Sequence, residues 1–319
     1  MRVLVTGATG LVGQLLCKTL ADRHHLVRAA LRRPQSVPAG VTEPVVVGEI
    51  GGDTRWGEAL QGVDAVIHAA AHVHVPGSAG DHADRYLETN ARGTRRLAEA
   101  AAGRGVPRFV LLSTLKVNGE ETHSRPYTAR DPPQPRGAYA HSKWLAELAL
   151  MEIGTSSGMR TAIVRPPLVY GPGVRANFLR LLRSIDARRL LPLGAVTNRR
   201  SLVSVWNLCD LLAELLTNPA ADGCWLVSDG EDVSSPELVR RIARVMCRPA
   251  RLVSVPPALL RLGGTLIGRR NDLRRLCGSL AADISETRQR LRWIPPISLD
   301  EGLARTVAWY LSPARSDAG

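Results

Sequence analysis

Residues 3–16 read V-L-V-T-G-A-T-G-L-V-G-Q-L-L: an apolar run that breaks at three evenly spaced glycines, Gly7, Gly10 and Gly13, and resumes at helical spacing. No other segment restricts the fold as tightly. A strand that ends in Gly7 can turn sharply. Gly10 has no side chain to hold a ligand away from the backbone, and Gly13 lets the next helix settle onto the strand. The first N–H groups of that helix, from Leu11, Val12 and Gly13, have no intrahelical acceptor and lie at its positive end. They suit a pyrophosphate. The segment therefore predicts a strand–turn–helix unit that binds a dinucleotide.

The pattern continues. Strand-like runs at 2–6, 26–31, 44–47, 64–68, 108–112 and 160–164 alternate with helix-like runs at 11–21, 81–104 and 137–154. Such alternation predicts an α/β fold: a Rossmann-type doubly wound parallel sheet, right-handed crossovers, and ligands at the carboxyl ends of the strands. After Arg165 the pattern is broken by Pro166–Pro167, Gly171-Pro172-Gly173 and Pro192. Strands at 202–205 and 224–227 and helices at 237–246 and 301–310 predict a smaller C-terminal substrate-binding lobe. On this reading residues 1–170, with about 201–230, form the dinucleotide domain, and 171–200 with 231–319 form the lobe. The tail after Pro313 is expected to be disordered. Asp229-Gly230-Glu231-Asp232 reads as a solvated turn before a helix cap at Ser234 or Ser235.

Charge narrows the partners. The formal net charge is +13, and of 42 basic residues only Lys18, Lys116 and Lys143 are lysines. The arginines are dispersed and aromatic residues make up only 4% of the chain, so no stacking platform for nucleic acid is expected. A diphosphate-bearing small molecule suits a dispersed positive field. Five cysteines lie far apart without a C-x-x-C pair, which disfavours zinc and redox motifs and predicts buried thiols in a reducing, cytoplasmic setting. No run of 18 apolar residues predicts a membrane span, and the N-terminal strand leaves no room for a signal peptide. The stretch 255–268, interrupted by Arg261, reads as a packed helix. His68, His72, His74 and His82 lack carboxylate support, so no metal site is expected.

Chemistry enters at Tyr139-x-x-x-Lys143. Four residues apart on a helix, the two side chains share a face. A neighbouring ammonium is expected to lower the phenol below its ordinary value of about 10 and to make Tyr139 a general acid or base. Lys143 is a lysine in a chain that otherwise uses arginine, which marks a specific need. The strand before this helix ends Ser113-Thr114-Leu115-Lys116-Val117. Thr114 is the candidate hydroxyl for the reacting oxygen, with Ser113 the alternative. The second strand ends Leu31-Arg32-Arg33, with no carboxylate for a ribose hydroxyl. Guanidinium groups suit a 2′-phosphate, so NADP(H) is expected over NAD(H).

The segments GATGLVG (7–13), HAAA (68–71), TNARGT (89–94), YAHSK (139–143) and RPPLVYGPG (165–173) together resemble the NAD(P)-dependent epimerase/dehydratase family of extended short-chain dehydrogenases. The resemblance covers nearly the whole chain. More narrowly, HVHV, STLKVNGE, RPPLVYGPGVRANF, RRSLVSVWNLCDLL and WLVSDGEDVSSPEL resemble bacterial polysaccharide enzymes, either UDP-glucose 4-epimerase-like or UDP-sugar 4-ketoreductases of the quinovosamine type. The resemblance implies that Ala69, Ala70, Ala71, Asn90, Ser113, Pro166 and Leu168 line the cofactor, with Glu49 and Ile50 near its adenine. It implies diphosphate contacts at Asn177 and Arg200, with Arg274 or Arg275 as a second clamp; Lys116, and His72 or His74 on the loop at the rim, are further candidates for the substrate.

Dehydratases of this family follow the catalytic threonine with Asp-Glu. Leu115 and Lys116 stand here, which disfavours dehydration. The leading expectation is NADPH-dependent reduction of a UDP-linked 4-keto-6-deoxy (acetamido) sugar in surface polysaccharide synthesis. The alternative is a UDP-hexose 4-epimerase with tightly bound NAD, and one of another class is a non-catalytic NADP(H)-binding sensor. A homodimer through the helices at 81–104 and 137–154 is expected by the same analogy.

Overall fold

The computed structural model describes residues 1–73, 82–256, 259–260 and 276–312. The chain begins with β1 (Arg2–Thr6), α1 (Leu11–Asp22), β2 (Leu26–Leu31), β3 (Glu43–Val46) and β4 (Ala65–His68). A continuous helical stretch follows: α2 (His82–Tyr86), a π-helical turn (Leu87–Arg92) and α3 (Gly93–Ala102). Next come β5 (Arg108–Leu112), a one-turn helix (Leu115–Val117), α4 (Gly137–Ser157), β6 (Arg160–Arg165) and β7 (Leu168–Tyr170). The chain continues through α5 (Ala176–Asp186), β8 (Arg200–Ser204), α6 (Val205–Thr217), β9 (Gly223–Leu226) and β10 (Asp232–Val233). Among the described residues follow α7 (Ser235–Val245), α8 (Ser285–Leu291) and α9 (Leu299–Leu311).

Seven strands form the main sheet in the order β3-β2-β1-β4-β5-β6-β9, every pair parallel. The order reverses beside β1, so a crevice opens at the carboxyl ends of β1 and β4. The inner strands are buried because helices cover both faces. On one face Leu16, Cys17 and Leu20 of α1 meet Leu208, Leu212 and Leu215 of α6 over the sheet. On the other, Leu97 and Ala101 of α3 pack with Ala146 and Leu150 of α4 and with Trp56. The Rossmann-type sheet is thus as expected.

A second core lies around a three-stranded sheet, β10-β8-β7. Tyr170, Phe178, Leu182, Val239, Ile242 and Leu303 belong to it, contributed by β7, α5, α7 and α9. Among the described residues no helix is long and apolar enough to cross a membrane, and no group of three metal-ligating side chains converges.

Three expectations are corrected. The strand expected at 202–205 is Arg200–Ser204, and Val205 starts α6, a helix not separated from it in the sequence. Ser204 is its cap, accepting from the Asn207 N–H at 3.2 Å. In V-W-N-L-C-D-L-L-A-E-L-L nine residues are buried and only a narrow side, Trp206, Asp210 and Glu214, is less covered. The helix expected at 81–104 is interrupted by the π turn, and residue 81 lies outside the described residues. Asp229 does not belong to a solvated turn. It is buried and accepts from the Tyr170 hydroxyl at 2.7 Å, the Ser204 N–H at 2.8 Å and the Asn207 amide at 2.7 Å. Burial raises its carboxyl above the ordinary range. Ser234 does cap the next helix, accepting from the Glu237 N–H. Most of the 255–268 stretch and the tail from Pro313 lie outside the described residues.

Candidate active site

The glycine turn closes on the neighbouring strand. Gly7 has φ +70°, and a Cβ there would stand 2.7 Å from the Ala70 nitrogen. At Gly13 a Cβ would lie 2.0 Å from the Gly7 carbonyl oxygen, so any side chain would push α1 off the turn. No side chain caps α1, which leaves the N–H groups of Leu11, Val12 and Gly13 facing the crevice end of the helix. Ala69, Ala70 and Ala71 continue from β4 along the same crevice, half-buried.

Beneath them runs a buried chain of hydrogen bonds. The Ala70 N–H donates to Thr6 Oγ1 at 3.1 Å, and Thr6 Oγ1 lies 2.7 Å from His68 Nδ1. His68 Nε2 lies 3.0 Å from Thr94 Oγ1, whose hydroxyl donates to the Asn90 carbonyl at 2.6 Å. Since Thr94 donates onward, its oxygen accepts from Nε2–H, and Nδ1 accepts from Thr6. Burial, with Lys143 nearby, pushes the His68 pKa down to about 3, so the ring stays neutral.

Asn90 is a correction in role. Expected at the cofactor, it is fully buried and its amide is committed to protein: Oδ1 accepts from the His72 N–H at 2.7 Å, and Nδ2 donates to the His72 carbonyl and to Ser142 Oγ, each at 3.0 Å. It braces the chain after β4 against α4. The π turn places it there. The His72 ring packs 5.2 Å from that of Tyr86, the residue that meets Tyr139.

The three catalytic candidates converge. Thr114 follows β5 and begins the one-turn helix, its hydroxyl within hydrogen-bonding reach of the Tyr139 phenol. Tyr139 and Lys143 lie one turn apart on α4. Lys143 is 1% exposed, and among the described residues its Nζ has no hydrogen-bond partner. A buried ammonium without a partner is costly. Burial lowers its pKa to about 8, with the Glu147 charge pulling the other way. The phenol does not follow expectation. Burial and the adjacent Tyr86 push it up to about 12, against the Thr114 hydrogen bond. Desolvation of the phenolate outweighs the Thr114 hydrogen bond, and Lys143 is not among the groups that shift the phenol. Ser113, the alternative to Thr114 and a candidate cofactor contact, donates its hydroxyl to buried Glu147 instead.

A cavity of about 510 Å³ opens beside Thr114. It gathers Lys116, Pro166, Leu168, Asn177 and Arg200, all expected at the ligands. Lys116 pairs with Glu120 at 3.3 Å, and Arg200 donates to the Gly278 carbonyl at 3.1 Å. Leu181, Leu193, Leu238 and Val239 give the far wall an aliphatic surface. Arg274 and Arg275 lie outside the described residues. At the other end of the crevice Arg32 and Arg33 are exposed after β2, and Arg32 Nη1 stands 3.7 Å from the Glu49 carboxylate. Ile50 packs against Gly93, where a Cβ would come within 2.6 Å of it.

The residues fit a nicotinamide dinucleotide. An uncapped helix end meets a glycine turn, and a buried, unpartnered Lys143 stands where a ribose hydroxyl could satisfy it. Sequence reasoning missed Tyr86, whose ring meets that of Tyr139 edge-on at 5.8 Å, and the Glu147–Arg165 pair. Glu147 was findable: it is one turn beyond Lys143 in Y-A-H-S-K-W-L-A-E.

Comparison with known proteins agrees with this geometry. A UDP-glucose 4-epimerase of Vibrio cholerae is 39% identical over 314 residues, spanning 97% of this chain and 95% of that protein. A 3-beta-hydroxysteroid dehydrogenase of Mycolicibacterium neoaurum is 31% identical over 258 residues, 76% of this chain and 69% of that protein. The crystal structure of UDP-glucuronic acid 4-epimerase from Bacillus cereus in complex with NAD superposes with a TM-score of 0.79 at 22% identity, covering 100% of this chain and 99% of that one. Residues 3–225 match the model of one family along most of the chain. The chain belongs to the NAD dependent epimerase/dehydratase family.

Proposed function

We propose that this chain is an NAD-dependent 4-epimerase of UDP-linked hexoses. The observation that carries the reading is the buried, unpartnered Lys143 ammonium one turn from a phenol that meets the Thr114 hydroxyl. Thr114 would hold the C4 oxygen, Tyr139 would take its proton and later return it, and Lys143 would hold the nicotinamide ribose and favour the phenolate. The bound nicotinamide supplies the hydride acceptor and donor. Removal of water from the sugar needs a further acid and base. Leu115 is fully buried and Lys116 is paired with Glu120, which supports chemistry at C4 alone. Arg200 and Asn177 would address the diphosphate. The products would serve surface polysaccharide synthesis.

The 39% identity to a UDP-glucose 4-epimerase supports this substrate class. Glu49 beside Arg32 favours a free ribose hydroxyl over a 2′-phosphate, hence NAD. A second reading, NADPH-dependent reduction of a UDP-4-keto sugar, is favoured by exposed Arg32 and Arg33 and by the missing acid after β2. Incubation with UDP-glucose and NAD, and separately with a UDP-4-keto sugar and NADPH, separates the two. The epimerase forms UDP-galactose with no net NADH. Steady NADPH oxidation without epimerisation establishes the reductase. A 3β-hydroxysteroid belongs in the panel because the far wall of the cavity is aliphatic, and no turnover of it is expected.

A further inference from the structure

One turn past Lys143, α4 carries Glu147, which is fully buried. Arg165 grips its carboxylate: Nε reaches Oε1 at 3.0 Å and Oε2 at 3.1 Å, and Nη2 reaches Oε2 at 2.5 Å. The Ser113 hydroxyl donates to Oε1 as well. Arg165 gives Nη1 to Asn118 Oδ1 at 3.0 Å and lies 5.8 Å from the Trp144 ring centroid. Each member adjoins a part of the site. Ser113 precedes Thr114, Asn118 closes the turn that Thr114 opens, and Arg165 precedes Pro166 in the cavity wall.

Taking two ions out of water costs several kcal/mol each, and apolar side chains of similar size often pack there as stably. A pair placed at the junction of β5, β6 and α4 is therefore poorly explained by stability alone. Its surroundings suggest what else it does. Among the described residues, the groups that face Tyr139 and Lys143 from other elements are Tyr86 of α2, Thr114 after β5 and His68 of β4, and Cys224 of β9 faces the pair. All are neutral near pH 7: the His68 ring is neutral above about 3 and the Cys224 thiol is pushed up to about 12. Glu147, balanced by Arg165, is the charge that acts on Lys143.

We propose that Glu147 and Arg165 are positioning residues that set the electrostatic balance at Lys143 and Tyr139 as well as holding their chain segments in register. The proposal rests on the reading of Tyr139 as the acid–base group. Removing one charge leaves the other unbalanced in a low-dielectric interior, where it acts over a turn or two of helix. An unbalanced Arg165 eases ionisation of the phenol, and an unbalanced Glu147 opposes it.

The test is a titration of the Tyr139 phenolate by near-ultraviolet absorbance in NAD-loaded protein, with Tyr139→Phe as the blank. Glu147→Gln is expected to move the midpoint toward acid by about one pH unit, and Arg165→Met toward alkali by about as much. The double variant Glu147→Gln/Arg165→Met removes both charges and is expected to return to the wild-type midpoint. Glu147→Asp keeps the charge and is expected to leave the midpoint in place; with Glu147→Gln it carries the test if Arg165→Met does not fold. Midpoints that stay fixed in the charge-changing variants, with stability alone falling, or a double variant that does not return, overturn the proposal. No sugar is needed, so the test stands even if UDP-hexoses prove not to be substrates.

Discussion

Tyr139 and Lys143 show how far residue type alone reaches. With its phenol held near 12 by burial, Tyr139 is protonated at neutral pH in the protein alone, and it needs Lys143 and the positively charged oxidised nicotinamide to become a base. Tyr139→Phe is expected to lower kcat by about 10²- to 10⁴-fold while leaving the affinity for NAD within a few-fold, as measured by steady-state rates and calorimetry. Lys143, lowered to about 8, is charged below that value and loses its proton above it. kcat/KM, which reports the free enzyme, should therefore show a limb that falls as pH rises through about 8. That limb should be missing in Lys143→Met. That these side chains come together was legible because Tyr139 and Lys143 lie one turn apart on α4, a helix that follows the strand ending at Thr114. The side-chain partners of Ser113 and Asn90 were not legible, because a polar side chain near a crevice can serve the ligand or the protein, and only the tertiary fold decides. Ser113 serves Glu147, which lies 34 positions away.

Elements were legible where strand-like and helix-like runs alternate regularly and glycines or prolines flank them. The strands of the main sheet and the helices α1, α3 and α4 follow from alternation and flanking glycines. The helix α6 did not, because it begins at Val205 directly where β8 ends, with no glycine or proline between them. The π turn was equally hidden, since its one extra residue per turn leaves no compositional mark. It nevertheless sets Asn90 under the site. Asn90→Ala would leave the His72 N–H and carbonyl without their amide partner inside the protein. A loss of about 1–3 kcal/mol is expected, measured by urea unfolding at neutral pH.

For the whole molecule, the strand order β3-β2-β1-β4-β5-β6-β9 follows from the first glycine turn and from right-handed crossovers. The aliphatic cavity wall did not, because α5 and α7, β7 and the segment near Leu280 come together only in three dimensions. The homodimer proposed through the α2–α3 stretch and α4 is supported by Leu148 and Met151, which are 40% and 39% exposed on α4. Sedimentation equilibrium should give a mass near twice the 34.5 kDa of the chain, and a monomer at all concentrations would rule the dimer out. On the proposed reading a hydride leaves C4 and returns to it while Tyr139 moves only the hydroxyl proton. UDP-glucose carrying deuterium at C4 tests this most directly, with the UDP-galactose formed read by mass spectrometry and NMR. Deuterium retained at C4 of the product is the predicted result. Deuterium exchanged for solvent hydrogen at that carbon would contradict it.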